Sequence, residues 1–297
     1  MTRIAFLGTP AAAVPSLEAL VAAGHRVPLV VSRPDRRRGR GPGTSPSPVK
    51  EAALRLGLEV TDRLEAIEDA GIDLGVVVAY GRIIPAALLE RVPMVNLHFS
   101  LLPRWRGAAP VERAILAGDR VTGVCLMGVE EGLDTGPVYA RLEIPIGPEE
   151  SAEELREHLA GLGAALLVES LHGVLERGPG ALPSPRPQVG ETTYAAKIGP
   201  GERELRWSEP AEVLGRVVRI GGAHTTFRGR RLRVLRARVA GAGAAPSGRP
   251  GAFTGTVVAT GTGALELVQV QPEGGRPMAA ADWLRGARPS EGEYLGG

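Results

Sequence analysis

The chain of 297 residues is long enough for two domains, and its 43% hydrophobic and 23% charged residues are typical of a soluble globular protein. No apolar run approaches the roughly 18 residues of a membrane span, which excludes an integral membrane protein, and we expect a cytoplasmic chain. The single cysteine, Cys125, excludes internal disulfides and thiolate-rich metal sites. The five histidines form no metal-binding pattern, so no metal is expected.

The net charge of +2 is unevenly distributed along the chain. Residues 33–50 carry six basic side chains and one acidic side chain, and residues 209–297 carry twelve basic and seven acidic ones. An arginine-rich genome replaces lysine by arginine, but it does not explain why basic residues outnumber acidic ones in these two stretches. Basic charge confined to one loop and one terminal segment indicates a polyanionic partner.

The first 175 residues alternate short apolar runs with segments of helical spacing. This pattern predicts strands at residues 4–8, 27–31, 74–80, 94–98, 121–129 and 138–144, and helices at 14–23, 49–56, 110–118 and from 151 to about 176. Ser151 and Glu154 form a capping box at the start of the last helix. Near-continuous apolar strands separated by helices predict a Rossmann-like α/β domain, an open parallel sheet with helices on both faces.

The pattern changes after this first part. Residues 178–206 are rich in Pro and Gly and predict a linker. Beyond it, a short helix at 210–220 and alternating stretches at 231–239, 255–260 and 264–270 predict a small OB-like β-barrel. We therefore expect a catalytic domain at 1–177, a linker at 178–206 and a barrel-like domain at 207–297.

Ligands of an open parallel sheet bind beyond the carboxyl ends of its strands. The loop after the first strand, GTPAAAVPSL, lacks the G-x-G-x-x-G fingerprint of dinucleotide-binding proteins. Asn96 and His98 lie two residues apart at the end of a predicted strand, so both side chains leave the same face. An amide that stabilises an oxyanion and an imidazole that moves a proton suit carbonyl chemistry, although such a pair also occurs for structural reasons.

A catalytic histidine needs a partner that orients it, and Asp134 in EEGLDTGPV is the candidate. Asp134 lies at the same end of the sheet as His98 if strand 121–129 runs parallel to strand 94–98. Its carboxylate would then hold the imidazole and stabilise the charged form. The alternative is an aspartate that only forms a tight turn before glycine.

The segment NLHFSLLPRWRGAAP at residues 96–110, followed by GLDTG at 132–136, resembles the formyltransferase family that uses 10-formyltetrahydrofolate. GTP after the first strand, RPDRRRGRGPGTSPSPVK, VVVAYGRIIP and TYAAKI resemble the branch of this family that acts on methionyl-tRNA. The resemblance implies that Asn96, His98 and Asp134 are catalytic.

The same resemblance implies where the substrates bind. It assigns the folate co-substrate to Ser100, Leu101, Leu102 and Pro103. It assigns the initiator tRNA to the barrel-like domain and to the basic loop, which we expect to be mobile, with the loop arginines Arg36, Arg37, Arg38 and Arg40. The implied reaction is direct attack of the methionyl amine on the formyl carbon, without a covalent enzyme intermediate. Separately, we expect the protein to be a monomer without a metal.

Three other functions are compatible with parts of the sequence. The same chemistry on an amino-sugar nucleotide is compatible with the two-domain plan, but the four arginines within 36–40 favour a nucleic acid. A non-catalytic RNA-binding protein is disfavoured because Asn96, His98 and Asp134 are all present. A nicotinamide-dependent dehydrogenase is disfavoured by the missing glycine fingerprint.

Overall fold

The computed structural model describes residues 2–37, 44–241, 243, 246 and 248–297. The chain divides into two compact units. The first comprises Met1–Val111, Val121–Pro145 and Leu155–Ala196, and the second comprises Glu112–Arg120, Ile146–Glu154 and Lys197–Gly297. Within the described residues, no helix combines the length and the apolar character that crossing a membrane requires.

The strands and helices that the sequence predicts are present in the predicted order, and the structure adds several short elements between them. The strands of the first unit are β1 Arg3–Gly8, β2 Arg26–Val31, β3 Arg36–Arg37, β4 Thr44–Ser45, β5 Val60–Thr61, β6 Leu74–Val78, β7 Met94–His98, β8 Arg106–Gly107, β9 Val121–Gly128, β10 Val138–Pro145 and β11 Tyr194–Ala195. The helices of the chain are α1 Val14–Ala22, α2 Pro48–Arg55, α3 Ala66–Asp69, α4 Ala86–Arg91, α5 Pro110–Ala117, α6 Ala152–Leu171, α7 Val174–Arg177, α8 Ala211–Arg219 and α9 Ala280–Ala287.

The main sheet of the first unit has the strand order β10-β9-β7-β6-β1-β2-β5. The five strands from β7 to β5 are parallel to their neighbours, as the near-continuous apolar runs predict. Strand β9 is antiparallel to both β7 and β10, so the prediction of a wholly parallel sheet is wrong at this edge. The short connection between β9 and β10 accounts for the antiparallel pairing of these two strands, because parallel neighbours need a longer crossover.

The sheet is covered on both faces. On one face, Ala5 and Leu7 of β1 pack in a cluster with Ile67 of α3 and Leu88 of α4. The alternate residues of β1 are equally buried and point to the opposite face. Complete burial of each large side chain stabilises the fold by about 1.5–3 kcal/mol. The Rossmann-like α/β prediction is confirmed.

The capping box at the start of α6 is also confirmed. The backbone N–H of Ser151 donates to the Glu154 carboxylate at 2.8 Å, and the N–H of Glu154 donates to the Ser151 hydroxyl at 3.2 Å. Each side chain therefore satisfies a donor that the first turn of the helix leaves open.

The second unit contains an antiparallel sheet with its own core. Its strands are β12 His224–Phe227, β13 Arg230–Val239, β14 Phe253–Thr254, β15 Val257–Ala259, β16 Ala264–Pro272 and β17 Met278–Ala279. The order is β12-β13-β16-β15-β14, and β17 pairs with β16. Leu214, Val217 and Val218 form one stripe of α8 and pack in the core of this sheet. The expected small OB-like β unit is confirmed, whereas the helix α9, which contains a glycine and lacks an N-cap side chain, gave no signal in the sequence.

Candidate active site

The strand β7 places the two predicted catalytic side chains on one face of the sheet. Its register sets Asn96 opposite Met127 and His98 opposite Cys125 on β9. His98 is buried, with 6% of its side chain exposed, and Asn96 is half-buried. Among the residues that the structure describes, the side-chain amide of Asn96 has no hydrogen-bond partner. Its N–H donors are therefore available to a ligand on the face that His98 shares.

Both ring nitrogens of His98 face oxygen atoms. Nε2 lies 2.8 Å from the backbone carbonyl oxygen of Trp105. Because a carbonyl only accepts, Nε2 carries the proton and donates it, which leaves the lone pair on Nδ1. Nδ1 lies 3.6 Å from Oδ2 of Asp134, which is longer than a hydrogen bond but close enough for the carboxylate to attract the ring once it is protonated. In the neutral ring, the nitrogen that can accept a further proton is therefore Nδ1.

Asp134 reaches His98 by a route that differs from the predicted one. The prediction assumed that β9 is parallel to β7, and this assumption is wrong. Strand β9 ends beside Val95, near the start of β7, and the loop 129–137 that joins β9 to β10 extends back to His98. The backbone N–H of Gly107 donates to Oδ2 of Asp134 at 2.7 Å, and the Asp134 side chain is 16% exposed. The expected proximity of Asp134 to His98 is present despite the wrong assumption.

The turn after β7 supplies two site groups that sequence reasoning missed, the carbonyl of Trp105 and the N–H of Gly107. Trp105 adopts φ +63°, in the left-handed region that disfavours residues with a Cβ. Its N–H donates to the hydroxyl oxygen of Thr193 at 2.9 Å. Gly107 adopts φ +117°, and a Cβ there would lie 3.0 Å from the Ala195 carbonyl oxygen. A close approach of two backbones therefore fixes this turn, and only glycine fits.

The second of these two backbones belongs to the segment 178–206, which the sequence predicted to be a linker. Part of it packs against the turn, because β11 pairs with β8. The backbone of Arg186 also exchanges two hydrogen bonds of 2.8 Å with Val138 of β10. Only the motif TYAAKI, which contains Thr193, could have indicated that this segment contributes to the site.

The stretch assigned to the folate co-substrate forms the beginning of the same turn. The hydroxyl of Ser100 is buried and donates to the Arg104 carbonyl at 2.6 Å. Leu102 is buried in a small cluster with Cys125 and Met127, and Pro103 is buried as well. Leu101 is partly exposed. These contacts show how the turn is stabilised, and contact of Ser100–Pro103 with folate stays a prediction.

The basic loop begins and ends at two side-chain pairs. The hydroxyls of Ser32 and Ser47 lie 2.6 Å apart, and Lys50 donates to Asp35 at 2.9 Å. Between these pairs, β3 and β4 form an antiparallel stem that pairs Arg36 with Ser45 and Arg37 with Thr44. This stem was not predicted from the sequence, from which we expected a mobile loop. Arg38 and Arg40 lie outside the described residues, as do the side chains of Arg36 and Arg37.

Cys125 lies opposite His98 on the neighbouring strand β9. Burial raises the pKa of Cys125 to about 11, and the side chain is fully buried. A thiol with such a pKa stays protonated near neutral pH, and only the thiolate is a strong nucleophile. The position of Cys125 beside His98 therefore provides no nucleophile for covalent catalysis. Among the described residues, no group of three or more His, Cys, Asp or Glu could hold a metal ion.

Comparisons with known proteins cover nearly the whole chain. The formyl transferase family matches residues 2–171, and the formyl transferase C-terminal domain matches residues 197–288. A methionyl-tRNA formyltransferase of Jannaschia sp. (strain CCS1) is 45% identical, with 99% of each chain covered. One of Roseobacter denitrificans is 46% identical at the same coverage. HypX from Aquifex aeolicus, solved in complex with tetrahydrofolic acid, is 19% identical with a TM-score of 0.64, covering 95% of this chain and 46% of that one.

Proposed function

The chain belongs to the methionyl-tRNA formyltransferase branch of the formyl transferase family, and we propose that the end of β7 is where it transfers the formyl group. The enzyme takes this group from 10-formyltetrahydrofolate and transfers it to the free amino group of methionyl-initiator tRNA. The product is N-formylmethionyl-tRNA for translation initiation. The observation that supports the proposed site is the convergence of Asn96, His98 and Asp134 at one end of the sheet.

The residues present fit a substrate that brings a carbonyl group. When bound, the folate co-substrate supplies an electrophilic formyl carbon and a nitrogen leaving group. The half-buried amide of Asn96, which has no partner among the described groups, donates to the formyl oxygen and stabilises the negative charge that develops there. Ser100, Leu101, Leu102 and Pro103 hold the folate beside this amide.

His98 moves the proton that the attacking amine must lose. The Trp105 carbonyl keeps the proton of the neutral ring on Nε2, so Nδ1 accepts the amine proton. The carboxylate of Asp134, 3.6 Å away, stabilises the resulting imidazolium. His98 then returns this proton to the leaving nitrogen. The amine attacks directly, since no nucleophilic side chain is needed and Cys125 is protonated.

The tRNA is bound by the basic loop and by the second unit. The arginines Arg36, Arg37, Arg38 and Arg40 supply positive charge toward the phosphates of the acceptor arm. The stem formed by β3 and β4, with the Asp35–Lys50 ion pair at its base, supports the loop that carries these arginines. The domain limits 1–177, 178–206 and 207–297, the monomeric state and the cytoplasmic location remain proposals.

A direct assay tests the function. The full chain is incubated with 10-formyltetrahydrofolate and methionyl-initiator tRNA, and the N-formylmethionine released by hydrolysis of the aminoacyl ester is quantified. Parallel reactions replace the tRNA by amino-sugar nucleotides, and replace folate by NAD or NADP with a candidate alcohol. We expect product only with the tRNA. Formylation of an amino-sugar nucleotide without formylation of the tRNA would contradict the proposed acceptor. Full activity of the His98→Ala variant would contradict the proposed site.

A further inference from the structure

We propose that Gln188 is a positioning residue for Asp134, holding the loop 132–136 so that the carboxylate faces His98. The proposal rests on the function proposed above, because it concerns the same site. It assigns a catalytic purpose to a side chain from the segment 178–206, far from Asp134 in sequence.

The side-chain amide of Gln188 makes contacts on both of its ends. Nε2 donates to the backbone carbonyl oxygens of Asp134 and Gly136, each at 2.8 Å. Oε1 accepts from Nε and Nη2 of Arg106 at 3.1 and 2.6 Å. A primary amide has two donors and two acceptor lone pairs, and all four are used here. The guanidinium of Arg106 therefore fixes which end of the amide faces the Asp134 loop.

These contacts close a ring of four residues. Gln188 holds the backbone of Asp134, and the carboxylate of Asp134 accepts from the N–H of Gly107 at 2.7 Å. Gly107 follows Arg106 directly in the chain, and Arg106 binds Gln188. Asp134 is thus fixed at its carbonyl and at its carboxylate, which defines the direction of the side chain between them.

Asp134 needs such a restraint because its backbone is not in a preferred conformation. Its φ of +50° lies in the left-handed region, which residues with a Cβ occupy rarely, although aspartate occurs there more often than most. If the carbonyl were released, the backbone would relax and the carboxylate would leave the position 3.6 Å from Nδ1 of His98. Small displacements of catalytic groups reduce rates strongly, by up to about 10²-fold for 1 Å.

An alternative role for Gln188 is to anchor its own segment to the first unit. Other contacts already do this. Arg186 exchanges two backbone hydrogen bonds of 2.8 Å with Val138, β11 pairs with β8, and the Thr193 hydroxyl accepts from Trp105. The segment therefore stays in place without the Gln188 side chain, so a substitution at this position tests the Asp134 loop specifically.

Two variants separate the contacts of Gln188. Gln188→Met keeps the length of the side chain and removes every hydrogen bond. Gln188→Glu keeps an acceptor for Arg106 and removes the donors to Asp134 and Gly136. We expect both variants to lower kcat by about 10- to 100-fold with KM nearly unchanged, as for other residues that orient a catalytic group. The backbone amide proton of Gly107 reports the carboxylate directly, and we expect its NMR resonance to move upfield in both variants because the hydrogen bond weakens.

A matched control comes from the second unit. Gln271 has the same chemistry, because its Oε1 accepts from Arg233 at 3.1 Å and its Nε2 donates to the Gly275 carbonyl at 3.0 Å. Gln271→Met should cost similar stability in thermal unfolding but leave the Gly107 and His98 ring resonances as in the wild type. If Gln188→Glu kept kcat within about threefold of the wild type, donation to the loop would not matter and the proposal would be overturned.

The spectra and the rates separate two possible failures. If the wild-type chain fails to formylate methionyl-tRNA, the proposed function is wrong, and the Gly107 resonance still decides whether Gln188 positions Asp134. If the wild type is active and the Gly107 resonance is unchanged in both Gln188 variants, the positioning role is wrong and the proposed function stands.

Discussion

Two regions build the candidate site in different ways. Strand β7 contributes Asn96 and His98, which lie two positions apart in the chain, and this spacing places both side chains on one face. The segment 186–195 contributes Thr193 and Gln188. Thr193 contacts Trp105, 88 positions away in the chain, and Gln188 contacts Asp134, 54 positions away. In the proposed mechanism the strand supplies the reacting groups, whereas the distant segment holds the backbone that orients them. The candidate reacting groups were therefore visible in the sequence, and the groups that orient them were not.

The strand should give the largest effect when it is changed. We expect His98→Ala to lower the single-turnover rate at saturating tRNA by roughly 10²–10⁴-fold, because the base for the amine proton is lost. His172→Ala is the control, since that histidine is exposed at the end of α6. A decrease of less than about threefold in His98→Ala would remove His98 from the mechanism.

Asn96→Ala tests the second group of the strand. If its amide stabilises the developing oxyanion, the rate should fall by roughly 10²–10³-fold while folate binding changes little. Rapid-quench measurements of the transfer step, combined with equilibrium folate binding by fluorescence, separate these quantities. A loss confined to folate affinity would show that Asn96 binds the co-substrate without acting on the transition state.

The distant segment should give a smaller effect. Thr193→Val keeps the shape of the side chain but leaves the N–H of Trp105 without its acceptor, so the carbonyl that holds Nε2 of His98 shifts. We expect about a tenfold lower kcat and altered 15N shifts of the His98 ring. The neighbouring Thr192 is exposed, and Thr192→Val is the matched control. Equal rates for the two valine variants would confine the site to the strand and its turn.

The last of these effects concerns stability at Cys125 and leaves the rate of formyl transfer unchanged. The pKa of Cys125 in the folded protein is about 11, raised by burial above its usual value of about 9. Between these values the unfolded thiol ionises while the folded one keeps its proton, so stability falls as pH rises through this window. Relative to Cys125→Ala, the wild type should lose up to about 2–3 kcal/mol between pH 9 and 11. Urea unfolding of both proteins at several pH values measures this difference, and parallel curves would contradict it.

The sequence predicts most of the fold because its signals are local. The apolar runs of β1, β6 and β7 and the capping box of Ser151 and Glu154 are each contained within a few residues. The direction of β9 was predicted wrongly because burial on both faces produces the same apolar run in parallel and antiparallel strands.

The candidate site is predictable only in part for the same reason. Asn96 and His98 follow from a two-residue spacing. The roles of the Trp105 carbonyl and the Gly107 N–H depend on left-handed backbone at φ +63° and +117°, which the sequence does not specify at Trp105. The role proposed for Gln188 depends on its contact with Asp134, 54 positions away in the chain. The sequence did not indicate this contact, because the Pro- and Gly-rich segment around Gln188 predicts a linker.

The measurement that tests this account most directly is the single-turnover rate of Asp134→Asn at saturating tRNA and 10-formyltetrahydrofolate. Asparagine tolerates the left-handed φ of +50°, and its side-chain oxygen still accepts from the N–H of Gly107, so the variant removes the charge and keeps the loop. If Asp134 stabilises the imidazolium of His98, the rate should fall by about 10²-fold or more with both substrates still bound. A rate within about threefold of the wild type would show that Asp134 only forms a turn, and the proposed site would be wrong.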